Sequence, residues 1–152
     1  PEKDHLSNLV KACEANRIKM IDYSKDSDFV ENFEENLNTY SLVVDAIFGF
    51  TFKGPMREPY GKIIKTLKTV KPPIFSVDVP SGWDVEKGNL EDLFDPQYTI
   101  SISLPKKCME NYKGIHYLGG RFLPKPLIEK YGWIVPSYKG LDTFIELPKK
   151  TQ

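Results

Sequence analysis

The chain predicts an α/β fold, a mostly parallel sheet covered by helices. Three observations carry this. Two short apolar runs, residues 42–44 and 74–77, read as buried strands, and each ends on an acid, Asp45 and Asp78. Segments with apolar residues at helical spacing alternate with them. Glycine and proline clusters separate the two kinds of segment, giving the helix, strand, helix, strand order of a parallel sheet.

The elements follow in order. Residues 5–17 place Leu6, Leu9, Val10 and Cys13 on one stripe, with Lys11, Glu14 and Asn16 opposite, an amphipathic helix. Residues 18–21 form a short strand candidate. Asp26 or Ser27 can cap a second helix with Phe29, Val30, Phe33 and Leu37 as its apolar face. After the strand ending at Asp45, Glu58-Pro59-Tyr60 opens a helix that buries Ile63, Ile64 and Leu67. Pro72 and Pro73 stop it and lead into the strand ending at Asp78. Residues 83–96 are loop-like and acidic. Residues 97–104 and 114–118 are strand candidates, 125–131 a short helix, and 143–147 a terminal strand. No repeat or low-complexity linker interrupts them, so residues 1–152 read as a single domain.

Bulk composition excludes more than it selects. The 152 residues are 40% hydrophobic and 28% charged, with 21 basic and 21 acidic side chains and no net charge. A nucleic-acid binder shows a basic excess or stripe, so that class is disfavoured. No apolar stretch approaches the ~20 residues of a membrane helix. Cys13 and Cys108 are far apart without metal-ligand spacing and read as reduced, structural thiols. The chain starts at Pro1 rather than Met, already entering a helix, so a natural N-terminus and any targeting segment are expected to lie upstream.

Right-handed crossovers bring the carboxyl ends of parallel strands to one edge, where ligands of open α/β sheets bind. Asp45 at such an end is a metal or substrate ligand, or an acid accepting amides of the following loop. Asp78 precedes Val79-Pro-Ser-Gly82, a fixed turn; a carboxylate held there suits general acid/base work if burial lifts its pKa, or it caps the turn. Ser81 offers a hydroxyl to a hard cation, or is a turn residue. As a nucleophile it lacks a base, with only His5 and His116 in the chain and no Gly-x-Ser-x-Gly elbow. Gly49, Lys53 and Gly54 could cradle a phosphate, although the loop is neither a Walker sequence nor Gly-x-Gly-x-x-Gly. Phe48, Phe50 and Phe52 flank an aromatic base or pack on the sheet. Lys106 and Lys107, just past a strand, are ligand-phosphate contacts or a solvated pair. Trp83 is expected to pack under its loop.

Four ordered segments, Val44-Asp-Ala-Ile-Phe-Gly-Phe-Thr-Phe-Lys-Gly54, Ser76-Val-Asp-Val-Pro-Ser-Gly-Trp-Asp-Val-Glu-Lys-Gly88, Leu104-Pro-Lys-Lys107 and His116-Tyr-Leu-Gly-Gly-Arg-Phe122, closely resemble the NAD(P)H-hydrate epimerases, the YjeF N-terminal domain family. The resemblance implies a Rossmann-like three-layer αβα sandwich that interconverts the R and S epimers of hydrated NADH and NADPH, a nucleotide repair reaction. It implies a potassium ion held with the help of Asp45 and Ser81. It also implies dinucleotide phosphates contacted by the loop of Gly49, Phe50, Thr51, Phe52, Lys53, Gly54 and Pro55, and a damaged nicotinamide ring contacted by Asp78. On that basis Asp78 is the expected proton-handling residue. A homodimer is implied, in the cytoplasm or mitochondrion.

The family also carries an earlier Gly-Asn-Asn-Gly-Gly-Asp-Gly loop that supplies a further potassium ligand. This sequence has no such segment, so the resemblance implies an N-terminally incomplete domain with weak potassium and substrate affinity on its own. The rival expectation is a catalytically silent module of the same fold, serving dimerisation and RNA-linked assembly, as in decapping scaffolds, or apolipoprotein binding. Both acids and the Pro-Ser-Gly turn favour the enzyme.

Overall fold

The computed structural model describes residues 2–23 and 25–149; the side chain of His5 lies outside the described residues. In chain order the elements are α1 (Glu2–Ala15), α2 (Ser27–Glu31), α3 (Phe33–Leu37), β1 (Val43–Asp45), α4 (Tyr60–Thr66) and β2 (Ile74–Val77). Then come β3 (Tyr98–Ile102), a 3-10 helix (Lys107–Asn111), β4 (Ile115–Gly119), α5 (Lys125–Tyr131) and β5 (Phe144–Glu146). The strands form one sheet whose spatial order is the chain order, β1-β2-β3-β4-β5, with β1 to β4 parallel and β5 antiparallel to β4. This is the Rossmann-like α/β architecture that the alternation of elements predicts.

Sequential strand order has a consequence for the layers. When parallel strands are added in one direction, right-handed crossovers all fall on the same face of the sheet. They do so here. Val43 and Ile74 from the strands, Ile64 and Leu67 from and just after α4, and Leu93 and Phe94 from the 83–96 loop form one buried cluster, with Leu37 of α3 packed against it. Next to it, Val79, Trp83, Cys108 and Met109 form a second cluster. Trp83 donates its indole N–H to the Phe94 carbonyl at 3.0 Å, joining the two ends of the long loop. The other face carries an aromatic ladder: Phe75 stacks near Tyr98 and Tyr117, and Tyr117 meets Phe144 edge-on. Val44, on that second face, is 59% exposed, so the expectation that β1 is buried on both sides fails there.

Three other expectations change. Residues 18–21 form no strand, and Ile18 and Met20 are exposed; β1 is the edge strand on that side, and the segment does not pair with its free edge. The helix expected from Asp26 or Ser27 divides into α2 and α3. Asp26 does cap it, accepting the Phe29 N–H at 2.9 Å, but Asn32 turns its side-chain amide back to the Asp28 carbonyl and interrupts the run. The 3-10 helix at residues 107–111 has no counterpart in the sequence reading. Its Cys108 and Met109 are buried, at a spacing too short to show a period.

Candidate active site

Asp45 and Asp78 come to the same edge of the sheet, at the carboxyl ends of neighbouring parallel strands, and both hold the loop that follows β1. The Ile47 N–H points to Asp45 Oδ1 at 3.5 Å. The Phe48 N–H donates to Ser81 Oγ at 2.9 Å, and the Phe50 N–H to Asp78 Oδ2 at 3.2 Å. One loop is thus threaded between two carboxylates.

The first carboxylate is closed in. Asp45 is 2% exposed. Its Oδ2 accepts the Ser76 hydroxyl at 2.9 Å and the Ser81 N–H at 2.8 Å; its Oδ1 accepts the Ser81 hydroxyl at 2.5 Å. Strand register explains Ser76, which sits directly opposite Asp45 across β1 and β2. The row continues through Thr99 to His116 on β3 and β4, a polar line across the buried face. Both Asp45 oxygens are engaged by protein donors.

A carboxylate, the Ser81 hydroxyl and the Phe48 carbonyl, 3.5 Å from that hydroxyl, are nonetheless grouped in one buried spot. These hard oxygens are the donor class an alkali cation takes. The residues fit such an ion in kind, while supplying only part of its shell. Among the described residues, no group of three or more His, Cys, Asp or Glu side chains is arranged for a metal.

The second carboxylate is open. Asp78 lies one residue beyond β2 with φ +72°, in the left-handed region that Asp and Asn tolerate better than most residues. Its backbone N–H donates to the Ile100 carbonyl at 2.8 Å, holding the strained residue in place. Oδ1 accepts the Ile102 N–H at 3.3 Å and an ion-pair hydrogen bond from Lys106 Nζ. Every one of these partners is a donor, so the carboxylate is held in one place as an acceptor of hydrogen bonds. Gly49 fits closely beside it: a Cβ there would stand 3.3 Å from Asp78 Oδ2, a tight contact.

The Asp78 carboxylate faces a cavity of about 570 Å³ lined by Phe50, Ile102, Leu104, Pro105 and Lys106. Phe50, 55% exposed, presents its ring to this space, and Lys106 Nζ stands 5.5 Å from the ring centroid. A flat ring, an acid and an ammonium around one opening can bind a planar heterocycle and exchange a proton with it.

The 49–55 loop is not one surface. Phe50 lines the Asp78 cavity, and Gly49 packs beside the Asp78 carboxylate. Phe52 instead stacks on Phe48 at 4.3 Å, the packing role. Lys53 and Gly54 line a separate groove of about 400 Å³ with Gly82, Trp83 and Leu90. Thr51 and Pro55 are exposed. Lys106 is the residue that sequence reasoning undervalued. It is no solvated lysine but turns in to Asp78, its side chain 17% exposed. The signal available was its place just past a parallel strand, on the edge where Asp78 also ends.

His116 serves neither Ser81 nor Asp78; its Nε2 is 2.8 Å from the buried Ser101 hydroxyl, and burial pushes its pKa down. Among the described residues no histidine reaches Ser81, and its hydroxyl is bound into the buried Asp45 network as a structural group. Burial likewise raises the Cys108 thiol to about 11, in keeping with an inert, reduced side chain. No helix among the described residues is long and apolar enough to cross a membrane.

The chain is similar to several known proteins. The family model described as YjeF-related protein N-terminus matches residues 1–108. The chain is 58% identical over 113 residues to the NAD(P)H-hydrate epimerase of Paramecium tetraurelia, covering 74% of this chain and 48% of that protein. It is 41% identical over 147 residues to the NAD(P)H-hydrate epimerase of Dictyostelium discoideum, covering 96% and 60%. The crystal structure of yeast ynu0 superposes with a TM-score of 0.71 at 40% identity, over 76% of this chain and 51% of that one. The chain spans about half to three-fifths of the length of these relatives.

Proposed function

The chain belongs to the YjeF-related protein N-terminus family, and from that premise we propose that its site interconverts the R and S epimers of hydrated NADH and NADPH. The observation that carries this is Asp78: a carboxylate fixed at a strand end by backbone donors, facing a cavity walled by the Phe50 ring. A reaction at a hydrated ring carbon needs a planar seat for the ring and a group that takes and returns a proton. Phe50 offers the seat and Asp78 the proton acceptor. The backbone strain at Asp78 favours the same reading, since residues held at positive φ cluster at functional sites.

The dinucleotide phosphates are assigned to the remainder of the 49–55 loop, where Lys53 supplies positive charge. A potassium ion belongs to the proposal, held by Asp45 and Ser81, where it would supply a fixed charge beside the loop these residues already tether. Homodimerisation belongs to it too, and sedimentation of the whole protein reads it directly. A silent scaffold is the weaker reading, since it would have no use for a strained acid facing a cavity, and the relatives above are named epimerases.

The test is conversion of the purified R epimer of hydrated NADH to the S epimer by the whole protein, with and without potassium. Asp78→Asn, which tolerates the same positive φ, is expected to lose turnover by at least about a hundredfold while the protein stays folded. Unchanged turnover in that variant would remove Asp78 from the mechanism.

A further inference from the structure

Resting on the epimerase reading, we propose that Lys106 is a second catalytic residue, the acid that works against Asp78 as base. Four observations meet on it. Its ammonium bonds Asp78 Oδ1 and donates to the Ile102 carbonyl at 3.0 Å, so its position is fixed from two sides. The pair is largely buried, with 17% and 13% of the two side chains exposed, yet both line the same cavity. The chain is bent to put it there: Ser103 has φ +67°, and the Leu104 N–H closes a tight turn on the Ile102 carbonyl at 2.8 Å. The ammonium also stands over Phe50, the proposed seat of the ring. A partly desolvated ion pair is a poor device for stability alone. Two strained turns that deliver one into a cavity point to chemistry.

In hydrated NADH the hydroxyl sits on a ring carbon bonded to the ring nitrogen. The nitrogen lone pair forms the N=C double bond as the C–O bond breaks, its electrons passing to oxygen. The oxygen takes a proton from the Lys106 ammonium and leaves as water. Water then adds to the opposite face of the planar cation: a new C–O bond forms, the N=C electrons return to nitrogen, and Asp78 accepts the proton water gives up. Asp78 and Lys106 are directly hydrogen-bonded, so that proton crosses from acid to amine and restores carboxylate and ammonium. No oxidant or further reactant is needed, and the site ends each turnover as it began.

Lys106→Arg separates this from a structural role. Arginine keeps the charge and the bond to Asp78 but gives up no proton near neutral pH. In the whole protein, it is expected to lower kcat by at least about a hundredfold, with KM for the R epimer held. Lys106→Ala is expected to lose turnover and to recover part of it with added propylammonium. Thermal melts show whether either variant remains folded. Wild-type turnover in Lys106→Arg would overturn the lysine's role and leave the epimerase intact. Failure of the wild-type protein to convert the epimer would overturn the epimerase reading and this proposal together.

Discussion

Asp45 and Asp78 begin alike and end differently. Each closes a short apolar strand, and the two strands are hydrogen-bonded neighbours. Asp45 is 2% exposed, with its oxygens consumed by Ser76 and Ser81. Asp78 shares its oxygens between two amides and an ammonium, on the wall of a cavity. The difference arises in the backbone. Asp45 is the last residue of its strand, so its side chain stays in the sheet's buried row. Asp78 lies one step past its strand at φ +72°, and that rotation takes it out of the row. A carboxylate at a strand end is therefore a tether or a reagent according to one dihedral angle.

The largest separation between the two should come from removing each. Asp45→Ala strands the Ser76 hydroxyl and the Ser81 N–H without an acceptor and is expected to cost about 3 kcal/mol or more. Urea denaturation measures it. Asp78→Asn keeps the hydrogen-bond acceptor but leaves the Lys106 ammonium without its counter-charge, so it should cost about 1–3 kcal/mol, leave the protein folded and abolish turnover. If Asp45→Ala proved as stable as the parent, the tether assignment would fall.

Gly49→Ala probes the contact between the loop and the open carboxylate. A Cβ 3.3 Å from Asp78 Oδ2 forces a shift of a few tenths of an ångström. We expect about a tenfold fall in kcat and about 1 kcal/mol of destabilisation. A fall in stability without a fall in kcat would mean that the exact seat of Asp78 does not matter.

The smallest effect concerns the far end of the polar row that Asp45 begins. Burial holds His116 neutral, with its folded-state pKa below the ordinary 6.5. The unfolded chain then binds the extra proton first as pH falls. Stability contributed by this site is complete above about pH 6.5 and declines as pH drops from there through the lower folded-state value. His116→Gln should flatten that part of the pH–stability curve, read by melting temperature. An unaltered curve would take His116 out of the titration.

Much of this was legible in the residues. Apolar runs ending in acids, proline stops and the 125–131 helix appear where their patterns predict, because burial and backbone chemistry act locally there. The site was half legible. Asp78 and Gly49 meet as the strand-end grammar requires, and Ser81 joins Asp45. The inward turn of Lys106 was hidden, because it depends on Ser103 at positive φ, and no glycine or asparagine marks that bend. The division of the 49–55 loop was hidden for a similar reason. Phe52 stacks on Phe48 through packing that spacing alone does not encode.

The sheet's sequential order also bears on how the chain reaches this state. Each parallel pairing joins strands adjacent in the chain, and the connecting stretches shorten from Asp45–Ile74 to Val77–Tyr98 to Ile102–Ile115. Loop-closure entropy falls in the same direction, while the β3–β4 pair has the longest register. Folding should therefore nucleate at the later strands and zip backward, so that β1, the earliest of these strands in chain order, docks last. The tether Asp45 then serves as the clasp that closes the process.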